Sequence, residues 1–307
     1  MEHLSIPGFL RRSSFLVAVH KGFFAREELE VDFQLIKLAP EHNREMAEGR
    51  RLMSMIAIDT MLARATKDSV DFVAFMQTEQ GMDVQLVVRP EIKSFADLRG
   101  KLFAADPVDS NFDLVRNKIM RDHGITEDEY RIEVIGNSYL RLAALQEGRV
   151  SAAMLAPPST DRAVAGAGVI LAEGADHISD WPITCGWGLR RLVAANRSTI
   201  VRYIRASVAA TDWLLEPGNR EETLRLLMQE EKLSRPRAEK AYTQVVPKCA
   251  LNTEAVRKNI ELRIELGYYK PPHKPAEAFY DSSYWCEATG LPAHEPVGYP
   301  RNAVLED

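Results

Sequence analysis

Apolar residues change their spacing again and again along this chain, and each change marks an element. Residues 3–9, HLSIPGF, alternate briefly and stop at Pro7 and Gly8, which predicts a short strand and a loop. Ser13 and Ser14 then supply N-cap chemistry. Phe15, Leu16, Val19, Phe23 and Phe24 follow at helical spacing, with Gly22 near the helix end. From Leu29 the pattern alternates again, LEVDFQLIKL, and predicts a strand over 29–38. The opening therefore reads as strand–helix–strand, with Phe23 and Phe24 pinning the helix to the sheet as core residues.

The alternation of types continues. A helix is predicted over 41–49, a buried strand in LMSMIAI, a short helix in TMLARAT, and strands in DFVAFM and DVQLVV. A second run starts at Lys101: strand KLFAA, helix 110–123, strand RIEVIG, helix 138–147, strand AAMLA, helix 159–165 and strand GVILA. Such alternation predicts a mostly parallel sheet covered on both faces. From about Asn196 to about Gly267 the pattern is helical. The segment after it, rich in Pro, Tyr and Trp, reads as an extended tail on the surface.

Two segments share one layout. AEGRRLMSMIAIDT (47–60) and QEGRVSAAMLAPPS (146–159) each run from a helix end through Glu-Gly-Arg and a buried strand to a polar or proline turn. Two occurrences do not make a solenoid; they predict two lobes on similar α/β plans. Ligands of open α/β sheets sit beyond the carboxyl ends of strands, so facing lobes converge on one cleft.

Composition narrows the possibilities. The 307 residues are 46% hydrophobic and 27% charged, which fits one large domain or two lobes with their own cores. With a net charge of −5 and no block of five basic residues, nucleic-acid binding through phosphate neutralisation is not expected. No window approaches the ~18 apolar residues of a membrane span. Cys185, Cys249 and Cys286 lie far apart without metal spacing and read as free thiols. There is no GxGxxG and no phosphate loop, and no cofactor is expected. The start, MEHLSIPGFLRRSSF, lacks a basic region followed by an apolar run. As the sequence stands the protein is expected in the cytoplasm, or in the periplasm if a signal peptide was removed.

HKGFFAREELEVDF (20–33), KSFADLRGKLFAAD (93–106) and LAALQEGRVSAAMLAPP (142–158) together resemble the solute-binding proteins of nitrate-, sulfonate- and taurine-type ABC transporters, over roughly residues 3–245. The resemblance implies an α/β, two-lobed type II periplasmic-binding-protein-like fold, a small-molecule ligand in an interlobe cleft, and an ABC permease as partner. Relatives on that fold include the pyrimidine-precursor synthases of thiamine biosynthesis and certain aromatic decarboxylases, so it also implies an enzyme alternative. The cysteine-rich iron motif of the thiamine enzymes is absent. Family members often carry Asp after the Gly of both repeated segments, where this chain holds Met53 and Ser151.

Candidate contacts sit in the loops at strand ends. In PGFLRRSS (7–14), Arg11 or Arg12 and Ser13 precede a helix whose free N–H groups and positive dipole end suit an anion. Asp59 and Thr60 end the third strand, where a carboxylate caps a helix or contacts a ligand. Ser110 and Asn111 are cap-type residues before the 110–123 helix. Pro157, in APPS, makes a rigid pocket wall. Trp181 and Trp187 flank Cys185 near the return crossing, and aromatics at a cleft suit flat ligands. His20 and His42 have no metal spacing, Cys185 has no neighbouring base, and no catalytic set can be read off the chain.

The sequence therefore predicts lobe 1 over 1–92 and 190–307, lobe 2 over 93–189, and a hinge near 90–93 and 185–190. The preferred function is reversible binding of a small organic molecule, anionic or aromatic, with hinge closure. The competing reading is a cytosolic lyase, decarboxylase or hydrolase acting on a small aromatic or heterocyclic substrate.

Overall fold

The computed structural model describes residues 1–37 and 39–293. Leu38, the last residue of the predicted 29–38 strand, and 294–307, the end of the predicted tail, lie outside the described residues.

Strand β1 (Glu2–Gly8) runs parallel to β2 (Leu29–Leu35), pairing Ile6 with Phe33. The single helix expected between them is two, α1 (Ser13–His20) and α2 (Phe23–Arg26). Gly22 separates them at φ +69°, a conformation that costs glycine nothing. The break turns Phe24 onto Tyr203, with ring centroids 5.2 Å apart and planes 18° from parallel. Phe23 and Phe24 are buried core residues.

Helix α3 (Ala39–Glu48), β3 (Ser54–Ile56), α4 (Ile58–Lys67) and β4 (Phe72–Gln80) follow. Then come β5 (Gln85–Val88), β6 (Leu102–Ala105), α5 (Asn111–Asp122), β7 (Arg131–Val134), α6 (Ser138–Gln146), β8 (Ala152–Leu155), α7 (Ser159–Ala165), β9 (Val169–Glu173) and α8 (Gly174–His177). These strands form one five-stranded sheet in the order β7-β6-β8-β5-β9. Strand β10 (Pro182–Leu189) then returns and inserts between β3 and β4, antiparallel to both.

Two details differ from the sequence expectation. Gln85–Val88, expected with the first lobe, pairs with β8 and β9 in the five-stranded sheet, and Pro182–Leu189, expected in the second lobe, pairs with β3 and β4. Both strands are apolar on both faces, so their pattern reads the same in either sheet. Nor are the sheets mostly parallel: the five-stranded sheet is mixed and the three-stranded sheet antiparallel, because β5 and β10 run against their neighbours, and only the β1–β2 pair is purely parallel. The chain passes between the sheets at residues 81–84 and 174–181, and the Gly81 N–H donates to the Trp181 carbonyl at 2.8 Å, tying the two passages.

The helical region comprises α9 (Arg190–Ala195), α10 (Arg197–Leu215), α11 (Arg220–Glu230), α12 (Arg235–Thr243), α13 (Thr253–Glu265) and α14 (Ser283–Thr289). Helix α10 packs Ile200 and Ile204 into one core with Leu16, Phe24 and Trp285. Helix α13 serves two cores. Its Val256 and Ile260 join Trp187, while Leu262 joins Leu266 and Phe103 under the five-stranded sheet. The segment after Gly267 is not a surface tail within the described residues, because it buries Phe279, Tyr284 and Trp285. Its aromatic content is core material.

Candidate ligand-binding site

The carboxyl ends of β1, β2 and β4 and the start of antiparallel β10 share one edge. A narrow pocket opens there, with a free volume of about 10 Å³, room for about one water in this conformation. Strand residues Ile6, Phe33, Met55, Thr78 and Thr184 form its floor and side, Tyr203 of α10 a wall, and Arg12, Ser14 and Phe15 the start of α1. Arg12 is the extended residue before α1 (φ −81°, ψ 164°), and no side chain caps that helix. The first N–H groups of α1 are therefore left for another partner, at the positive end of the helix dipole.

The electrostatics are unbalanced. No hydrogen bond or ion pair from the Arg12 guanidinium is found among the described residues. Burial lowers its pKa against the pull of Glu79, Glu231 and Asp83. Behind the hydroxyls lies Glu79, 1% exposed, whose carboxyl burial pushes up while Arg12 pulls it down. Thr78 donates to Glu79 Oε2 at 2.5 Å and the Thr184 and Ser14 hydroxyls also draw the carboxyl pKa down, but neither Glu79 Oε1 nor Thr184 Oγ1, both buried, has a hydrogen bond of good geometry among the described residues. Leaving such groups unmatched costs about 1–3 kcal/mol each. The pocket thus presents a guanidinium with no hydrogen bond or ion pair among the described residues, attracted at longer range by Glu79, together with uncapped helix N–H groups, hydroxyls, a carboxyl and aromatic walls.

Arg11 faces elsewhere, its Nε 2.7 Å from Glu231 and its Nη1 3.4 Å from Glu230 at the end of α11. The arginine of the predicted loop that meets the pocket is Arg12, because α1 begins immediately after it. Ser13 is buried at the first position of α1. Asp59 and the Ser110 loop do come together, through α13: Arg263 is ion-paired with Asp109 and donates to the Asp59 carbonyl at 3.1 Å. Burial pushes the Asp59 carboxyl up to about 6 against the attraction of Arg263, and its Oδ1 has no partner. Thr60 beside it is half-buried.

Ser110 caps α5, accepting the Asp113 N–H at 3.2 Å, and the adjacent Asn111 Oδ1 is buried and unpartnered. Arg141, fully buried behind this loop, donates to Asp106 at 3.0 Å and to the Met154 carbonyl at 2.8 Å. Pro157 is half-buried just before α7. From the facing side, Arg237 of α12 reaches Asp161 of α7 at 3.1 Å and Asp83 at 3.3 Å.

The tryptophans separate. Trp181 is buried and lines a different cavity, beside α13. Trp187 is not at a cleft edge: it lies in the central strand of its sheet, 0% exposed, edge-on to Phe72 at 5.0 Å and to His42 at 6.3 Å. Cys185 is buried beside it, and burial raises its thiol far from ionisation. Burial lowers the His42 pKa to about 4, and the ring pairs with Ser54 at 3.0 Å. Among the described residues no group of His, Cys, Asp and Glu could hold a metal.

Thr78, Glu79, Thr184, Tyr203 and Arg141 were not legible as site residues. One signal existed: β4 reads FVAFMQTEQ, an apolar strand that turns polar while staying buried. Ending that strand at Met76 hides it.

Comparisons with known proteins agree with this geometry. A family model described as NMT1/THI5 like matches residues 12–217. No curated protein sequence matches the chain. The periplasmic aliphatic sulphonate binding protein SsuA of Escherichia coli is 20% identical at TM-score 0.70, covering 93% of this chain and 99% of its own. The alkanesulfonate-binding protein SsuA of Xanthomonas axonopodis pv. citri, solved bound to MOPS, is 15% identical at TM-score 0.72, covering 92% and 99%. The desulfurization enzyme DSZB is 12% identical at TM-score 0.70, covering 94% and 99%. At these identities the likeness establishes the fold, the two-bodied periplasmic-binding-protein arrangement. With its family model matching well over half of its length, the chain belongs to the NMT1/THI5-like family.

Proposed function

We propose that this protein reversibly binds a small organic anion in the pocket at the start of α1, as the substrate-binding component of an ABC-type importer. The observation that carries this reading is the Arg12 guanidinium, with no hydrogen bond or ion pair among the described residues, beside uncapped helix N–H groups and the unsatisfied Thr184 hydroxyl. A sulfonate or carboxylate head supplies the acceptors those donors lack, and Phe15, Phe33 and Tyr203 suit an apolar body. Two lobes, one around each large sheet, close over the ligand about the passages at 81–84 and 174–181. Asp106, Ser110, Asn111, Pro157 and Arg141 form the opposing face. The partner is an ABC permease and the working compartment the periplasm.

The test is calorimetry with a series of alkane- and arenesulfonates and the matching carboxylates, followed by mass analysis of the recovered ligand. Binding with unchanged ligand, weakened about 5- to 150-fold by Arg12→Gln, is expected for loss of a charge-assisted hydrogen bond worth ~1–3 kcal/mol. Binding that ignores Arg12 sinks the assignment. A second reading, an enzyme, rests on Glu79, a buried carboxyl with one free oxygen and a raised pKa. Turnover abolished by Glu79→Gln with binding retained would replace the binder by that enzyme.

A further inference from the structure

A second cavity, of about 300 Å³, lies between α5, α13 and the passage that leads into β10. It shares no residue with the pocket at α1. Most of its charged rim is already paired: Lys118 pairs with Asp122, Lys258 approaches Glu254 at 4.0 Å, and Glu261 pairs with Arg257, while no ion pair of the Glu265 carboxylate is found among the described residues. The unmatched groups are neutral and deeper. Asn259 is 2% exposed, yet neither its Oδ1 nor its Nδ2 has a partner, and the Trp181 indole N–H, on a residue 3% exposed, has none either. Both residues line the cavity. Buried amides and indoles are nearly always hydrogen-bonded, so three orphan groups around one space point to an occupant.

We infer that this cavity is a second ligand site, for a neutral molecule presenting a cis-amide edge, such as a lactam or a pyrimidinone. Such an edge offers a carbonyl to the Asn259 Nδ2–H and the Trp181 N–H, and an N–H to the Asn259 Oδ1. The Trp181 ring and Leu262 provide the apolar wall. An anionic ligand would find both rim lysines already engaged and would meet the Glu265 carboxylate, and the orphan groups themselves are neutral. The site touches the passage between the sheets, through Trp181, and the helix that packs into both cores, through Leu262. An occupant therefore contacts the element about which the two bodies are joined.

The probe is 2-pyrrolidinone, with N-methyl-2-pyrrolidinone as the control that lacks the N–H. Proton–nitrogen spectra of the full chain contain indole signals from four tryptophans. The Trp181 signal is identified by its loss in Trp181→Phe, which keeps an aromatic ring in place. 2-Pyrrolidinone is expected to move the Trp181 signal and leave that of Trp187 in place. N-methylation is expected to weaken the response ~10-fold, the value of one hydrogen bond to a buried group, and Asn259→Ala, which removes two, by at least as much. A sulfonate bound at Arg12 leaves the titration saturable. No movement up to the solubility of the lactam means the cavity holds only water and overturns the proposal. Equal response to both lactams means apolar partition and also overturns it. Because the wild-type titration decides by itself, a variant that fails to fold does not rescue the idea.

Discussion

Two regions of this molecule bury arginine beside carboxylates, and they are completed differently. At the seam between α13 and α5, Arg263 is paired with Asp109, and Arg116 with Asp113, whose other oxygen takes the Tyr268 hydroxyl while Asn117 donates to Tyr268. Both arginines are 2% exposed or less. At the start of α1, Arg12 faces a pocket with no hydrogen bond or ion pair among the described residues, attracted only at longer range by Glu79, Glu231 and Asp83. At the seam each charge has its counter-charge, although Arg263 Nε is left without a hydrogen bond, and the network is structural: it fixes how α13 sits across the two cores. An unmatched one stores binding capacity, because its desolvation cost is already met in the folded chain and is offset only when a ligand arrives.

The comparison breaks first at the seam. Removing one partner of a buried pair leaves a charge uncompensated and costs about 3–5 kcal/mol. Arg263→Ala is expected to lose that much in urea unfolding, whereas Arg263→Leu with Asp109→Leu should recover most of it. A single substitution costing under 1 kcal/mol would mean the seam does not hold α13.

Next come two opposed pH dependences. Asp59 has its pKa raised from 3.8 to about 6, so the folded state binds more protons than the unfolded between those values. Its contribution to stability therefore falls as pH rises through that window, by up to about 3 kcal/mol. His42 is lowered from 6.5 to about 4, so its contribution falls as pH drops through that window, by a similar amount. Together the slopes largely cancel between pH 4 and 6. Asp59→Asn should expose a stability that rises with pH, and His42→Gln one that falls. Flat profiles in both variants would contradict these environments.

The α1 pocket should respond in the reverse sense to the seam. Arg12→Leu removes a half-buried charge that has no hydrogen bond or ion pair among the described residues, but also its longer-range attraction for buried Glu79, so stability is expected to change by no more than about 1 kcal/mol while ligand affinity is lost. A loss of several kcal/mol would place Arg12 with the structural arginines. The smallest effect belongs to its neighbour. Arg11→Ala breaks only the part-exposed contacts to Glu230 and Glu231 and should cost under ~1 kcal/mol, with affinity unchanged.

Much of the architecture was legible in the chain, for identifiable reasons. Strands and helices alternate in period along residues 1–173, and the predicted helices at 110–123, 138–147 and 159–165 are α5, α6 and α7 within a residue or two at each end. The helix start after Arg12 was legible within a residue or so, but not its cap: Arg12 rather than a serine stands at the N-cap, Ser13 and Ser14 lie inside α1, and no side chain caps the helix. Glu79 and Thr184 were not: each is a polar residue in an apolar strand, and only its place at the end of the sheet gives it a role.

By itself the sequence determined local periodicity, hence which segments are strands or helices and which faces are apolar, because those depend on neighbours within a few residues. Tertiary structure alone decided that β5 and β10 exchange sheets, since a strand apolar on both faces fits any interior position. It also decided which of two adjacent arginines meets the pocket. One residue of rotation at the start of α1 sends Arg11 toward Glu231 and Arg12 toward Thr78 and Thr184, a difference that no spacing in the chain encodes.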